Sequence, residues 1–334
     1  MTVTAPLPKP QRSSVAQWLN TKPLRRLRRD RAALSGLVII IAFTLMAVFA
    51  PFLAPPSGNC LRDLGVPAGG PVSLQTQLKA MVAAPASCYQ IRRVSYSPMP
   101  TPPAPGQVMG TSQGYDIFYG IVWGSRTMLR LGLIIVALNL LLGTIIGSIS
   151  GYYRGWIDTV IQRLIDVIFA FPGLILTVVL VALFKPSAGT IILAFVLTGW
   201  ASYARILRGD ILRTRELEFV DAARALGAPD RQLIFRHILP NSMTSLLTQV
   251  VLDLGTVPLG IAALSFLGLG FPVGYADWGQ LMSFARAWIQ GPPGQPFAFW
   301  YVSVFPALSI LLFSLGWNLL GDAARDAFDP RQTG

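Results

Sequence analysis

Charged residues are scarce in this sequence. Only 13% of its 334 residues are Asp, Glu, Lys or Arg, whereas 53% are hydrophobic. A soluble domain of this length usually has about a quarter charged residues. The shortage excludes an ordinary soluble protein and favours a chain that crosses a membrane several times.

Histidine and lysine are also few. The single histidine is His237, and the four lysines are Lys9, Lys22, Lys79 and Lys185. None of these lysines lies in the Gly-rich pattern G-x-x-x-x-G-K-[ST] that cradles nucleotide phosphates. One histidine in a basic segment does not support a Ser/His/Asp triad or a metal-binding cluster. We therefore expect no catalytic residue, no metal site and no cofactor in this chain.

The two cysteines, Cys60 and Cys88, lie together in a polar segment between the first two apolar stretches. The orientation deduced below places that segment outside the cytoplasm, where disulfides persist. This placement favours a Cys60–Cys88 disulfide, and the alternative is two free thiols.

Six apolar stretches are long enough to cross about 30 Å of hydrocarbon as helices. They cover residues 32–53, 128–151, 165–184, 187–207, 242–270 and 298–320. The sequence therefore predicts an all-α membrane protein with six transmembrane helices, the third of them kinked at Pro172.

Lys and Arg are distributed unevenly along these crossings. Six crossings place both termini on one side, and the segments on that side hold 19 of the 27 Lys and Arg residues. By the positive-inside rule, both termini are expected in the cytoplasm. The basic residues flank apolar stretches rather than forming a recognition surface, so no nucleic-acid partner is expected, and the expected surroundings are a lipid bilayer.

The chain divides into five parts. They are a basic arm (1–31), a first span (32–53), an external insert with an interfacial segment (54–127), a core of five spans (128–320) and a short tail (321–334). The insert is rich in Pro, Gly and Ser and is expected to be irregular. Residues 109–120 are expected to form an interfacial helix.

A polar block at residues 218–241 separates the fourth and fifth apolar stretches. It begins with helix-forming alanines, followed by Gly227, which can adopt a left-handed conformation, and by Pro229, which suits the first turn of a helix. It ends at Ile238-Leu239-Pro240, where the proline is expected to stop the second helix. The order predicts a short helix–turn–helix facing the cytoplasm.

This block resembles the coupling loop of permease subunits of ATP-binding-cassette (ABC) importers, in which E-A-A is followed by G and then by I-x-L-P. Here Asp221 replaces the leading acid, and Ile238 and Leu239 are adjacent. Residues 199–205, 262–270, 277–279 and 318–331 resemble the dipeptide/oligopeptide/nickel branch of these permeases, specifically its second, or "C"-type, subunit. The resemblance covers nearly the whole chain apart from 54–105.

The resemblance implies a type I importer permease fold in the cell (inner) membrane. It also implies a homologous permease subunit, two ATPase subunits that use ATP and Mg, and an extracytoplasmic substrate-binding protein. The implied ATPase-coupling loop is 208–241, with contacts at Asp221, Ala222, Ala223, Ala225, Leu226, Gly227, Ile238, Leu239 and Pro240. Peptides are the leading substrate; nickel chelates, glutathione or opines are alternatives, and a stand-alone secondary carrier is the competing class.

Two carboxylates fall within apolar stretches, where ionisable residues are costly and suggest function. Asp253 lies near the middle of the fifth stretch and either faces a translocation pathway, contacting a substrate amine, or hydrogen-bonds a neighbouring helix. Asp166 lies near the start of the third and is expected to be structural. Gly143, Gly147 and Gly151 share one helix face and predict close packing against another helix.

Overall fold

The computed structural model describes residues 30–67 and 70–328. The predicted basic arm lies almost entirely outside the described residues, as does the Asp329-Pro330-Arg331 sequence of the tail. In the described part, helices dominate, and two short strands form one antiparallel pair.

In chain order, the helices and strands are α1 (Arg31–Val48), α2 (Ala50–Leu53), α3 (Asn59–Asp63), α4 (Leu74–Val82), β1 (Thr111–Ser112), β2 (Tyr115–Asp116), α5 (Ile117–Tyr153), α6 (Gly155–Phe169), α7 (Gly173–Ala182), α8 (Ala188–Thr214), α9 (Glu218–Ala225), α10 (Asp230–Gln232), α11 (Leu239–Ser242), α12 (Thr244–Phe266), α13 (Trp278–Ala285) and α14 (Tyr301–Phe328). The longest connections between these elements are residues 83–110 and 286–300.

Five of these helices, α1, α5, α8, α12 and α14, are long and apolar enough to cross a membrane. The pair α6 and α7, whose axes differ by 82°, makes a sixth crossing if the two helices are taken as one broken span. The break contains Pro172, which lacks an N–H and restricts the residue before it. The third apolar stretch is therefore two helices and not the single kinked helix that the sequence predicts.

Helix α5 is much longer than the apolar stretch within it. It begins at Ile117, eleven residues before the predicted span, and its 37 residues measure about 55 Å. The Asp116 carboxylate accepts a hydrogen bond from the Tyr119 backbone N–H at 3.2 Å and caps the helix. Because Trp123 and Met128 are fully buried, tertiary packing supports these extra turns.

Residues 111–116 form a hairpin, so the predicted interfacial helix at 109–120 is wrong for this segment. Thr111 pairs with Asp116 and Ser112 with Tyr115. The turn residues Gln113 and Gly114 both have positive φ, which is the backbone of a tight two-residue hairpin turn. Helix begins only where Asp116 supplies a cap.

The insert is more ordered than its composition predicts. Cys60 and Cys88 are buried and form a disulfide that joins α3 to the segment after α4. The backbone N–H of Ile91 donates to Gly274 at 2.6 Å, so the insert also bonds to the loop before α13. Much of the insert lacks regular secondary structure, as the sequence predicts, but buried side chains and backbone hydrogen bonds tie it to the bundle.

Glycines bring α5 and α8 into close contact, as the sequence predicts. A Cβ atom at Gly143 would lie 2.2 Å from the Tyr203 Cβ, and one at Gly147 would lie 2.8 Å from the Ala204 carbonyl oxygen. Backbones approach this closely only where side chains are absent. The two helices therefore pack with their backbones in close contact.

Candidate functional site

The block between α8 and α12 folds as a helix, a turn and a second helical segment. Helix α9 ends at Ala225, and Gly227 follows with φ +84°, the left-handed conformation that suits glycine. The second segment runs from Asp230 through a π-helical turn, Leu233–Ile238, into α11. The local order matches the sequence-based prediction.

Pro240 does not stop this second segment, contrary to the sequence-based prediction. Helical structure continues to Ser242. Pro240 falls in the first turn of α11, where a missing N–H removes no intrahelical hydrogen bond, and the preceding π turn absorbs the change in hydrogen-bonding pattern. Its ring is therefore tolerated within the segment.

One face of the block is anchored in an apolar cluster at the ends of the long helices. Val220 and Ile238 are fully buried and Leu233 is 1% exposed. They pack with Ile211 of α8 and Leu246 of α12. Burying side chains of this size stabilises the contact by about 1.5–3 kcal/mol each. Helix α9 is therefore attached to the helices that cross the membrane.

Hydrogen bonds and an ion pair join the same block to the end of α5. The Tyr152 hydroxyl donates to an Asp230 carboxylate oxygen, and Arg215 donates to the Tyr152 carbonyl oxygen at 2.6 Å. Arg154 pairs with Glu216 at 2.6 Å. The segments on both sides of α9 are therefore bonded to the end of α5. Sequence reasoning missed these residues because each bond joins positions more than 60 apart, and no local pattern marks them.

The predicted coupling residues divide between two faces. Those exposed to solvent are Asp221, Ala222, Ala225, Leu226, Gly227 and Pro240. Ala223 and Leu239 are partly buried and Ile238 is buried, so these three support the block and do not form its outer surface. The structure thus brings only part of the predicted set together on one surface.

The outer surface of the block carries exposed apolar side chains. Leu226 is 89% exposed and Phe235 is 65% exposed. Phe219 is also exposed, and the Asp221 carboxylate pairs with Arg224 at 2.8 Å beside it. Large apolar side chains grouped at a polar helix end are typical of a protein–protein contact. Sequence reasoning missed Phe219 and Phe235; their signal is an aromatic residue within an otherwise polar segment.

A second feature is a cavity of about 420 Å³ at the bend between α6 and α7. It is lined by residues of α5, α6, α7, α8 and α12. Its polar lining residues are Asn139, Thr177, Thr198, Ser202, Gln249 and Asp253. The volume is within the roughly 300–1,000 Å³ of ordinary small-molecule sites.

Asp253 faces this cavity from the tenth position of α12. Its Oδ1 atom accepts hydrogen bonds from Gln249 at 3.0 Å and from Thr256 at 3.2 Å, both on its own helix. Tyr203 of α8 is a further polar neighbour. Both sequence-based alternatives therefore retain support, because the carboxylate lines the cavity and also has partners within the protein.

Asp166 is not in the cavity. It pairs with Arg205 at 2.7 Å, and Asp158 makes two bonds of 2.6 Å to Arg208. Both pairs join α6 to α8. They hold the first half of the broken crossing in place while α7 departs at a steep angle.

Asp277, in the segment between α12 and α14, is expected to make the stability of the fold depend on pH. It is fully buried at the start of α13, where it accepts from the Gly279 and Gln280 backbone N–H groups. Burial raises the pKa of Asp277 from 3.8 to about 6, against the opposing effect of these hydrogen bonds. A raised carboxyl pKa means that the folded protein retains the proton over a range in which the unfolded chain has lost it.

We therefore expect Asp277 to lower the free energy of unfolding as pH rises from about 4 to about 6, by roughly 2–3 kcal/mol. Asp277→Asn retains a capping oxygen but cannot ionise, so the melting temperature of the variant should fall less over this range. Thermal melts of the solubilised protein at several pH values measure the difference. Parallel pH profiles for variant and wild type would contradict the assignment.

Family comparisons agree with this architecture. The family described as binding-protein-dependent transport system inner membrane component matches residues 143–334. The chain belongs to this permease family. The N-terminal TM domain of oligopeptide transport permease C matches residues 21–64. The resemblance seen in the sequence is confirmed, and the protein is a membrane transport subunit and not an enzyme.

Several curated permeases are similar over most of their length. A dipeptide transport system permease of Alkalihalophilus pseudofirmus is 34% identical, over 98% of this chain and 94% of its own. An oligopeptide permease of Bacillus subtilis is 32% identical, over 96% and 92%. A glutathione permease of Pectobacterium atrosepticum is 38% identical, over 66% and 71%. A solved amino acid ABC transporter with histidines covers 61% of this chain at 18% identity and a TM-score of 0.47, too low to carry an argument.

Proposed function

We propose that this permease is the membrane subunit of an ATP-driven importer of dipeptides and oligopeptides. The observation that carries the proposal is the two-faced block around α9. Its inner face is locked to α5, α8 and α12 by buried apolar contacts, while Leu226 and Phe235 leave an apolar surface open to a partner. The similar dipeptide and oligopeptide permeases support peptides as the substrate class.

In the proposed orientation, the protein lies in the inner membrane of the cell. Helix α9 and both termini face the cytoplasm. It rests on the excess of Lys and Arg on that side. The disulfide between Cys60 and Cys88 then lies outside, where oxidation is sustained.

The proposed partners are a homologous permease, two ATPase subunits and an extracytoplasmic substrate-binding protein. ATP and Mg are used in the ATPases. Contact with an ATPase runs through Asp221, Ala222, Ala225, Leu226 and Gly227, while Ala223, Ile238 and Leu239 anchor the block. ATP binding closes the ATPases, the closure moves α9, and the attached helices switch between inward-facing and outward-facing packings.

Glutathione is a second candidate substrate. The observation that favours it is the similarity to glutathione permeases, at 38% identity for that of Pectobacterium atrosepticum. Competition by glutathione against uptake of a labelled dipeptide, in membranes that contain the whole transporter, distinguishes the two substrates.

Copurification tests the proposed assembly. When this chain is expressed with its neighbouring subunits and isolated through a tag, an ATPase should copurify. Reconstituted vesicles should then take up a labelled dipeptide only with ATP and the binding protein present. Uptake by this chain alone would contradict the proposal and favour a stand-alone carrier.

We place Asp253 on the translocation pathway. Asp253→Asn removes the charge without changing side-chain size, so uptake should fall by about tenfold or more while the subunits still assemble. Asp322→Asn is the matched control, because Asp322 is exposed on α14 and lies outside the cavity. Unchanged uptake in Asp253→Asn would remove this carboxylate from the pathway.

A further inference from the structure

The cavity at the α6–α7 bend contains a buried oxygen without a partner. Asn139 of α5 is 2% exposed and lines the cavity. Among the described residues, no donor reaches its Oδ1 atom. A buried carbonyl oxygen left unpaired costs about 1–3 kcal/mol. The Asn139 side chain borders the cavity, so a turn of its carboxamide toward a ligand that enters the cavity would give this oxygen a donor.

The same cavity has one negative charge and no positive one. Among the residues that the structure describes, Asp253 is the only ionisable one that lines it. Across the part of the chain that the structure describes, none of the ion pairs involves Asp253. Asp253 is partly buried, and a partly buried carboxylate is stabilised when a cation accompanies it. The cavity therefore provides acceptors and a negative charge but lacks a cation.

We propose that Asn139 and Asp253 form a recognition site for the ammonium group of a transported solute. An ammonium has three donors and no acceptor, which complements a carboxylate and an amide oxygen. For the substrates proposed above, this group is the free amino terminus of the peptide, so this assignment of the peptide end rests on the proposed function.

A metal ion fits this site less well than an ammonium. Asp253 is the only carboxylate on the wall, and no histidine or cysteine lies there. Among the described residues, no three His, Cys, Asp or Glu side chains are grouped so that they could hold a metal ion. Thr198, Ser202 and Gln249 add neutral polar groups, which suit the remaining polar atoms of an organic ligand.

Gly199 leaves the space that the Asn139 carboxamide occupies. A Cβ atom at Gly199 of α8 would lie 2.3 Å from the Asn139 amide nitrogen, so any side chain there must displace the carboxamide. Gly209 on the same helix has open space around its Cβ position. The pair Gly199→Ala and Gly209→Ala therefore provides a site variant and a matched control.

Protection of an introduced thiol tests the site. Both native cysteines are disulfide-bonded, so Ser202→Cys places a lone reactive thiol of this chain on the cavity wall. The labelling rate of Cys at this position by a small maleimide is measured by mass spectrometry of this subunit, in the assembled transporter without its binding protein. The probes are alanyl-alanine, N-acetyl-alanyl-alanine, n-butylammonium and n-butanol.

We expect alanyl-alanine and, at higher concentration, n-butylammonium to slow labelling, while the acetylated peptide and the alcohol do not. When Asp253→Asn is added to Ser202→Cys, the concentration of alanyl-alanine needed for protection should rise by about tenfold or more. Gly199→Ala should weaken protection in the same direction, whereas Gly209→Ala should leave it unchanged.

Several results would overturn the site. They are equal protection by the free and acetylated peptides, protection unaffected by Asp253→Asn, or no protection by any ammonium. The n-butylammonium result does not depend on the substrate class. If n-butylammonium protects the thiol but the transporter with its binding protein takes up no peptide, then the peptide substrate is wrong and the ammonium site stands.

Discussion

Leu226→Asp is expected to abolish ATP-driven uptake while the protein remains folded in the membrane. Leu226 is 89% exposed, so its substitution removes little contact within this chain. In the proposed contact with the ATPase, the new carboxylate must be desolvated without a partner, which costs several kcal/mol. We expect uptake to fall by at least about a hundredfold, since each 1.4 kcal/mol corresponds to about tenfold. Transport in vesicles and copurification of the ATPase measure the effect.

Val108→Asp is the control for this substitution. Val108 is 66% exposed but lies in the insert, far along the chain from α9. The same change there should leave ATPase binding intact. Retention of the ATPase and of normal uptake by Leu226→Asp would show that this surface does not contact the motor.

Gly143→Leu is expected to prevent assembly of a stable protein. The Cβ atom alone would lie 2.2 Å from the Tyr203 Cβ and 3.1 Å from the Ala204 backbone nitrogen, so α5 and α8 must separate. Overpacking of this kind costs about 1–3 kcal/mol or more, and here rigid backbone opposes any adjustment. The yield of monodisperse protein and its melting temperature measure the loss.

Gly209→Leu provides the comparison for Gly143→Leu. Gly209 is on α8 itself, but nothing lies within 4 Å of its Cβ position. This variant should therefore purify like wild type. Equal yields and melting temperatures for the two variants would contradict the close contact between α5 and α8.

The crossings were predictable because each depends on local hydrophobicity over about twenty residues. The helix–turn–helix was predictable for a similar reason, since Gly227 and the alanines before it act within a few residues. The steep break at Pro172 was only partly predictable. A proline indicates a bend, but the 82° angle depends on what α6 and α7 pack against, including the Asp166–Arg205 pair.

The insert shows where sequence reasoning fails. Its composition of Pro, Gly and Ser is typical of irregular chain, but the structure orders it through distant contacts. The Trp123 indole N–H donates to the Ala54 carbonyl oxygen, 69 residues away, and the Tyr119 hydroxyl donates to the Cys88 carbonyl oxygen. No local pattern predicts such pairs, so the order of the insert was missed.

The sequence predicts one of the two residues of the candidate site and not the other. Asp253 stands out because a charge within an apolar stretch is costly wherever it lies. Asn139 does not stand out, since a neutral amide within a span has no comparable signature. Its importance depends on the cavity, on Gly199 and on the absence of a donor, which only the packed structure reveals.

Site-specific cross-linking from α9 tests the central proposal most directly. Ala222→Cys places a thiol on the exposed face of α9 in a chain whose native cysteines are bonded. In inside-out vesicles, a short thiol-reactive photo-cross-linker at this position should capture an ATPase subunit, with a yield that changes when ATP is added. Labelling of this thiol from the outer face of intact cells, or transport without any captured ATPase, would contradict the account.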